Sequence, residues 1–200
     1  MPDTFQPGGR LRSVAVFCGS RRGSDPAFAA AAEALGHGLA AAGIKLVYGG
    51  GRIGLMGVVA DAALAADGEV LGVIPEFLQR REVVHAGLGE LEVTDSMHTR
   101  KRRMFDAADA FVIMPGGLGT LDETIEITTW RQLGLHDKPI LICNVLGWAD
   151  AYLAAIDAAV HDGFAGGETR LLFEVVPDVP GLLGRLGQHR RADAGEAAKL

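Results

Sequence analysis

The sequence predicts an α/β protein built on a doubly wound, mostly parallel sheet with helices on both faces. Short, continuous apolar runs recur along the chain, and such runs are typical of parallel strands that are buried on both faces. Helix-forming segments alternate with these runs, which is the order of elements found in α/β folds. Glycine-rich turns follow several of the runs, where a strand would pass into a helix.

Each element of this alternation has its own signal. Apolar runs predict strands at residues 14–18, 44–48, 70–74, 90–94, 110–114, 139–143 and 171–176. Charged residues weaken the fourth of these runs, and Pro75 closes the third. Helices are predicted at residues 25–42, 55–66, 96–108, 124–133, 148–161 and 180–186. The first helix is rich in alanine, and a looser stretch with charges and glycines, residues 76–89, lies between the third and fourth strands.

The length of the chain, 200 residues, suits one large domain. We expect this domain to span residues 11–187. The first ten residues, with their Pro, Gly and Gln, predict a disordered tail. Residues 188–200 have no apolar periodicity and predict a second disordered tail.

Charge and cysteine content exclude several classes of function. A net charge of −6 argues against a general nucleic-acid surface, so an anionic ligand would need a locally basic pocket. No apolar run approaches the ~20 residues of a membrane span, and no signal peptide opens the chain. Cys18 and Cys143 each end a strand-like run, without a C-x-x-C pair. Two buried, reduced thiols predict a cytoplasmic protein.

Three loops follow predicted strands, at residues 19–23, 49–54 and 115–120. Ligands of such sheets bind beyond the carboxyl ends of the strands, so the three loops are expected to meet in one crevice. Residues 49–54 match the dinucleotide pattern G-x-G-x-x-G, and Glu69 follows about twenty residues later. However, Glu69 precedes a strand instead of ending one. Contact with phosphate or ribose is therefore favoured, and NAD binding or a ligand-free turn remain as alternatives.

The stretch Pro115-Gly-Gly-Leu-Gly-Thr-Leu-Asp-Glu123 carries the strongest chemical signal. Glycines between a strand and a helix let backbone N–H groups approach an anion, and the helix N-terminus adds partial positive charge. A phosphate-bearing ligand is thus expected here, beside Glu123. Thr120 and Glu123 also have the spacing of a capping box, which would explain both residues without catalysis. The spacing leaves both interpretations open.

The helix that begins near Ser96 favours the catalytic interpretation. Its periodicity places Arg100 and Lys101 on the semi-apolar face, close to the helix N-terminus, whereas Arg102 and Arg103 point to solvent. Cations at this end oppose the helix dipole, and an anionic guest would reverse that cost. Arg offers a two-pronged fork and Lys a point charge. A basic solvated stripe is the alternative.

These residues resemble the Lonely Guy (LOG) family. Residues 115–123 are similar to its P-G-G-x-G-T-x-x-E signature, and Met97-His-Thr-Arg-Lys101 is similar to its M-x-x-R-K element, at a fitting distance. Further resemblances are Phe17-Cys-Gly-Ser20, Tyr48-Gly-Gly-Gly51, Thr129-Trp130 and Gln132-Leu-Gly134. The resemblance covers about residues 12–185.

The resemblance implies a Rossmann-like, nucleotide-binding catalytic domain, usually dimeric. It also implies phosphoribohydrolase activity on cytokinin riboside 5′-monophosphates, and on AMP in many members. Carried over by position, the catalytic residues are Arg100 and Glu123. Substrate contacts are expected from the loops and from the matched motifs, at Ser20, Gly50, Glu82, Arg100, Lys101, Gly116, Gly117, Gly119, Thr120, Glu123 and Thr129. No metal or cofactor is expected, because the six histidines form no dense ligand spacing.

Other functions remain as alternatives. A nucleotide or molybdenum-cofactor carrier on the same kind of fold would bind without cleaving its ligand. A nucleoside 2-deoxyribosyltransferase-like enzyme would also place a carboxylate near ribose, but the Arg100-Lys101 pair argues against a substrate without a 5′-phosphate. The four lysines have no context that suggests a pyridoxal phosphate Schiff base, which disfavours a lysine decarboxylase. The preferred substituent on N6 of the purine stays open.

Overall fold

The strands form one parallel sheet. The computed structural model of the chain describes residues 11–79 and 84–197, with side chains up to His189. Its strands are β1 (Ser13–Phe17), β2 (Lys45–Tyr48), β3 (Val70–Pro75), β4 (Glu90–Thr94), β5 (Ala110–Ile113), β6 (Ile140–Cys143) and β7 (Glu174–Val176). They lie in the order β4-β3-β2-β1-β5-β6-β7, and every neighbouring pair is parallel. The predicted parallel sheet is confirmed.

Helices cover both faces of this sheet. They are α1 (Pro26–Ala41), α2 (Gly54–Ala65), α3 (Glu76–Gln79), α4 (Met97–Asp106), α5 (Leu118–Gln132), α6 (Asp150–His161) and α7 (Val179–Ala197). One buried cluster joins the sheet to α1, α2 and α7, and a second joins it to α4, α5 and α6. The fold is therefore doubly wound, as the sequence predicts. Because β1 and β5 are neighbours whose helices pack on opposite faces, a crevice opens between their carboxyl ends.

Close packing of α1 on α2 supports the glycine loops that precede these helices. A Cβ placed on Gly36 of α1 would overlap the Val59 carbonyl of α2, so the two backbones can approach only at a glycine. Asp25 caps α1 by accepting a hydrogen bond from the Ala27 N–H at 2.8 Å. Both helices thus start from fixed positions at the carboxyl edge of the sheet.

Several boundaries differ from the sequence prediction. Helix α7 continues to Ala197, where a disordered tail was predicted from residue 188. Ala, Arg and Glu favour helix enough to extend an existing helix without an apolar stripe. The last strand is shorter than predicted, because Gly167–Leu171 forms a 3₁₀ turn instead. Helix α6 begins at Asp150, after a 3₁₀ turn at Val145–Gly147 that leaves Trp148 just ahead of it. Among the described residues, no helix is both long and apolar enough to cross a membrane.

Helix α5 starts earlier than predicted, and this overturns the capping-box interpretation. The helix begins at Leu118, directly after Gly117, whose extended backbone forms the N-cap position. Thr120 is therefore inside the first turn, where its carbonyl accepts a hydrogen bond from the Thr124 hydroxyl at 2.6 Å. Glu123 is the sixth residue of α5 and lies in the second turn. A helix that begins at a glycine turn has no polar N-cap residue, so the polar residues that usually mark a helix start do not indicate it.

Candidate functional site

The three predicted loops meet at the carboxyl edge of the sheet. The Gly19 N–H donates to the Pro115 carbonyl at 3.0 Å, which ties the loop after β1 to the loop after β5. The Leu55 N–H donates to the Gly19 carbonyl at 2.9 Å, which ties in the loop after β2. The convergence that the sequence predicts is therefore present, and the loops hold one another through backbone hydrogen bonds.

A cavity of about 530 Å³ opens between the first and third loops. Its walls include Ser20, Gly116 and Gly117, which the sequence analysis singled out. They also include Phe28 and Trp148, which the sequence analysis missed. The Trp148 indole N–H donates to the Gly116 carbonyl at 3.0 Å, so this side chain both walls the cavity and holds the glycine turn. In the sequence, the position of Trp148 soon after a predicted strand is the signal that could have indicated a place at the site.

The turn at residues 115–117 leads directly into α5. A Cβ on Gly116 would overlap the Thr120 side chain, so Thr120 packs against the turn instead of capping the helix. Gly117 and Gly119 are exposed, and neither has atoms of other segments near the place of a Cβ. The first N–H groups of a helix have no partner within it, and here they open beside the cavity. This arrangement suits a phosphate group.

Glu123 is a buried acid on α5 and, like Arg100 and Lys101, is not among the residues that wall the cavity. Its side chain is 9% exposed, and no described residue gives its carboxylate a hydrogen bond or an ion pair. Burial raises the pKa of Glu123 to about 7, while the positive charges of Arg100 and Lys101 act to lower it. Burial is the largest of these influences, and the negative charges of Asp122 and Glu126 also act to raise this pKa. A carboxyl group with a pKa near neutrality can exchange a proton with a substrate at physiological pH.

Arg100 is buried on α4 and reaches towards the second loop. Its Nε donates to the Val73 carbonyl at 3.2 Å, and its Nη1 lies 3.8 Å from the Met97 sulfur. A Cβ on Gly49 would overlap its guanidinium, so that glycine is needed for the arginine to lie where it does. The sequence prediction that Arg100 lies on the inner face of its helix is confirmed.

Lys101 lies beside α5 and is paired with acids there. Its Nζ is 2.6 Å from Asp122 and 3.2 Å from Glu126, both on the helix that carries Glu123. Partial burial acts to lower the pKa of Lys101, but the hydrogen bonds that its ammonium group donates to these two acids outweigh burial, and the pKa is raised. The lysine therefore stays charged and joins α4 to α5. From the sequence, the charge of Lys101 was predicted to face a substrate, and no local pattern indicated these acidic partners.

The remaining predicted residues lie in three different situations. Gly50 is buried, with a φ of +75° that favours glycine, and it lies next to Gly49 beneath the site. Thr129 is on the exposed face of α5 and is not among the residues that wall the cavity. Glu82 lies outside the described residues. Within the described part of the chain, no group of three or more His, Cys, Asp or Glu side chains could hold a metal ion.

Comparison with known proteins finds one matching family model and several curated relatives that align with most of this chain. A family model described as "Possible lysine decarboxylase" matches residues 56–186. The chain is 43% identical over 180 residues to a cytokinin riboside 5′-monophosphate phosphoribohydrolase of Oryza sativa subsp. japonica, covering 90% of this chain and 74% of that one. It is 42% identical over 180 residues to a protein of the same name from Arabidopsis thaliana, covering 90% and 84%.

A solved structure shares the fold at lower sequence identity. The molybdenum cofactor carrier protein from Chlamydomonas reinhardtii superposes with a TM-score of 0.68 and 20% identity, covering 90% of this chain and 98% of that one. At this identity the likeness concerns the fold alone.

Proposed function

Because this chain belongs to the LOG family of cytokinin riboside 5′-monophosphate phosphoribohydrolases, we propose that it hydrolyses the N-glycosidic bond of such nucleotides and of AMP. The products are the free base and ribose 5-phosphate. The observation that carries this proposal is a buried carboxyl group with a pKa near 7, Glu123, in the helix that begins at the phosphate-suited turn. Arg100, whose charge acts on Glu123, completes the catalytic pair.

Each residue type suits one part of this reaction. The bond between C1′ and the purine nitrogen breaks, and its electron pair leaves with the base. The ribose then carries positive charge, which the ionised Glu123 carboxylate stabilises. Water adds to C1′, and Glu123 accepts the proton that this water releases. The departing base takes up one proton from solvent, and Glu123 returns the proton it accepted to solvent, so the carboxylate is regenerated and one water is consumed in all.

The cavity supports a position for the 5′-phosphate. Ser20, Gly116 and Gly117 would surround that group, with the N-terminus of α5 as the source of N–H donors. Gly119 and Thr120 belong to the same first turn. Lys101, held by Asp122 and Glu126, contributes positive charge near the site without being free to follow the substrate. We retain Gly50, Glu82 and Thr129 as proposed contacts from the family resemblance.

The direct test is product analysis with two substrates. We expect isopentenyladenosine monophosphate and AMP to release free base and ribose 5-phosphate, both detected by chromatography. A carrier on the same fold would bind AMP but leave it intact, so binding without free adenine from either nucleotide would contradict the proposal. The ratio of the two turnover rates reports the preference for an N6 substituent.

The rate should rise with pH through neutrality. Glu123 acts in its ionised form, and its pKa is about 7, so kcat/KM is expected to increase from pH 6 to pH 8 with a midpoint near 7. The phosphate of the substrate titrates near pH 6. Inhibition by ribose 5-phosphate, measured over the same pH range, gives the contribution of phosphate ionisation separately. A profile that falls through pH 7 would show that Glu123 acts in its protonated form instead.

Replacing Gly49 with Ala should weaken catalysis although no catalytic residue is itself replaced. The new methyl group would displace the Arg100 guanidinium, and we expect kcat/KM for AMP to fall by about tenfold or more. Gly89→Ala is the matched control, because a Cβ at that glycine meets no atom within 4 Å. Equal activity of the two variants would mean that Arg100 need not lie where the structure has it.

We also propose that the protein is a cytoplasmic homodimer. Large apolar side chains are exposed at Leu118 and Ile125 of α5 and at Leu133 directly after it, which are 86%, 53% and 67% exposed. Large exposed apolar side chains that recur along one side of a helix favour association. Light scattering after gel filtration gives the mass in solution, and a monomer at micromolar concentration would contradict this. The free, buried thiols of Cys18 and Cys143 agree with a reducing compartment.

A further inference from the structure

We propose that His85, held by Asp61, is a positioning residue that fixes the glycine turn at residues 49–51 and, through it, the Arg100 guanidinium. This inference rests on the proposed function, because it assigns the glycine turn to the substrate site. His85 lies outside every motif that the sequence analysis singled out. It is 7% exposed, and its ring and its backbone contact different parts of the molecule.

The hydrogen bonds of the imidazole determine its tautomer. Its Nδ1 accepts a hydrogen bond from the Gly87 N–H at 3.2 Å. An accepting Nδ1 carries no proton in the neutral ring, so the proton is on Nε2. Nε2 lies 2.8 Å from the Asp61 Oδ1 and donates to it. The ring is thus oriented by two partners, one in its own loop and one on α2.

The backbone around His85 contacts the glycine turn directly. The His85 N–H donates to the Gly50 carbonyl at 3.3 Å, and Val84 forms an isolated antiparallel bridge with Gly51. The φ of +75° at Gly50 is a conformation that few residues adopt, so the turn depends on contacts that hold it. With the Gly50 carbonyl accepting from the His85 N–H and Gly51 bridged to Val84, the turn has a fixed orientation towards the site.

The position of the glycine turn determines where the guanidinium of the catalytic arginine lies. Gly49 lies against the Arg100 guanidinium so closely that a methyl group would not fit between them. A shift of the turn would therefore alter the position of Arg100. Asp61 is a suitable anchor because α2 begins at Gly54, directly after the turn, and packs firmly against α1. The aspartate side chain is 63% exposed, so its pair with His85 contributes little stability and its role is geometric.

The test compares variants that keep or break the hydrogen bond between residues 61 and 85. Asp61→Asn keeps an oxygen that accepts from Nε2, whereas Asp61→Ala removes it. In the same way, the amide of His85→Gln can reach Asp61, whereas the shorter side chain of His85→Asn can accept only from Gly87. We expect Asp61→Ala and His85→Asn to raise KM for AMP by about tenfold, with little change in melting temperature. Asp61→Asn and His85→Gln, which keep the hydrogen bond, should retain most of the wild-type affinity for AMP.

Two measurements separate this inference from the proposed function. Release of adenine by the wild type tests the function, and calorimetric binding of AMP, with every variant and its reference carrying Glu123→Gln to prevent hydrolysis, tests the positioning role without turnover. Weaker AMP binding in Asp61→Ala but not in Asp61→Asn supports the inference. Equal affinity of Asp61→Ala and the wild type for AMP would overturn the inference. It would also be overturned if, in all four variants, the loss of affinity were proportional to the drop in melting temperature.

Discussion

Replacing Glu123 with Gln is expected to lower kcat for AMP by about a thousandfold. The amide has the same shape but neither stabilises a positive ribose nor accepts a proton from water. Binding should persist, because the phosphate turn and Arg100 are unchanged. Steady-state release of adenine gives kcat, and calorimetry gives the affinity for AMP. Near-normal turnover by this variant would exclude Glu123 as the catalytic carboxylate.

Glu126→Gln is the matched control on the same helix. Glu126 is half-buried and paired with Lys101, and we expect its amide variant to keep activity within about threefold.

The pH dependence of stability gives a second readout for Glu123. Its pKa in the folded protein, about 7, is above the ordinary 4.5, so ionising the buried group weakens the fold as pH rises between these values. Glu123→Gln should therefore raise the melting temperature more at pH 8 than at pH 5.

Replacing Arg100 should have the second-largest effect. We expect Arg100→Ala to lower kcat/KM for AMP by about a hundredfold or more, because a positioned cation is lost from a buried site. Truncation also removes the buried hydrogen bond to the Val73 carbonyl, so the variant should lose about 1–3 kcal/mol of unfolding free energy. Arg100→Lys keeps the charge but not the fork, and it should fold normally with an intermediate activity.

The pH profile distinguishes a catalytic Arg100 from a merely structural one. The positive charge of Arg100 acts to lower the pKa of Glu123. Its loss should therefore move the rising limb of kcat/KM to higher pH, and Arg100→Lys should leave the limb near 7. A reduced rate in Arg100→Ala without any shift of the limb would show that Arg100 and Glu123 are not electrically coupled in the active enzyme.

Local signals were sufficient for the alternation of strands and helices and for the loops of the site. Buried parallel strands need continuous apolar runs, and the turns that follow them need glycine, so both leave a trace in a short window of sequence. At Thr120 the local pattern left a capping box open as one of two interpretations, and the structure excludes it because the helix has already begun at Leu118. A helix start formed by glycine has no polar residue to mark it.

His85 shows why other features escaped the sequence analysis. Its partners are Asp61, 24 residues earlier, and the Gly50 carbonyl, and nothing in its own surroundings predicts either contact. Trp148 is similar, because its partner Gly116 is 32 residues away. Contacts of this kind arise when neighbouring loops of a sheet meet, and a periodic pattern along one segment does not contain them.

From its sequence alone, this protein is recognisable as a parallel α/β protein of the LOG family, and the family resemblance proposes Arg100 and Glu123 as its catalytic pair. These features depend on residue type and spacing within single segments. Only the tertiary structure decided that Glu123 is buried without a partner, that Lys101 is paired with Asp122 and Glu126, and that Gly49 makes room for Arg100. The physical reason is that burial and electrostatic environment depend on atoms brought together from distant segments, and the pKa of a carboxyl group depends on both.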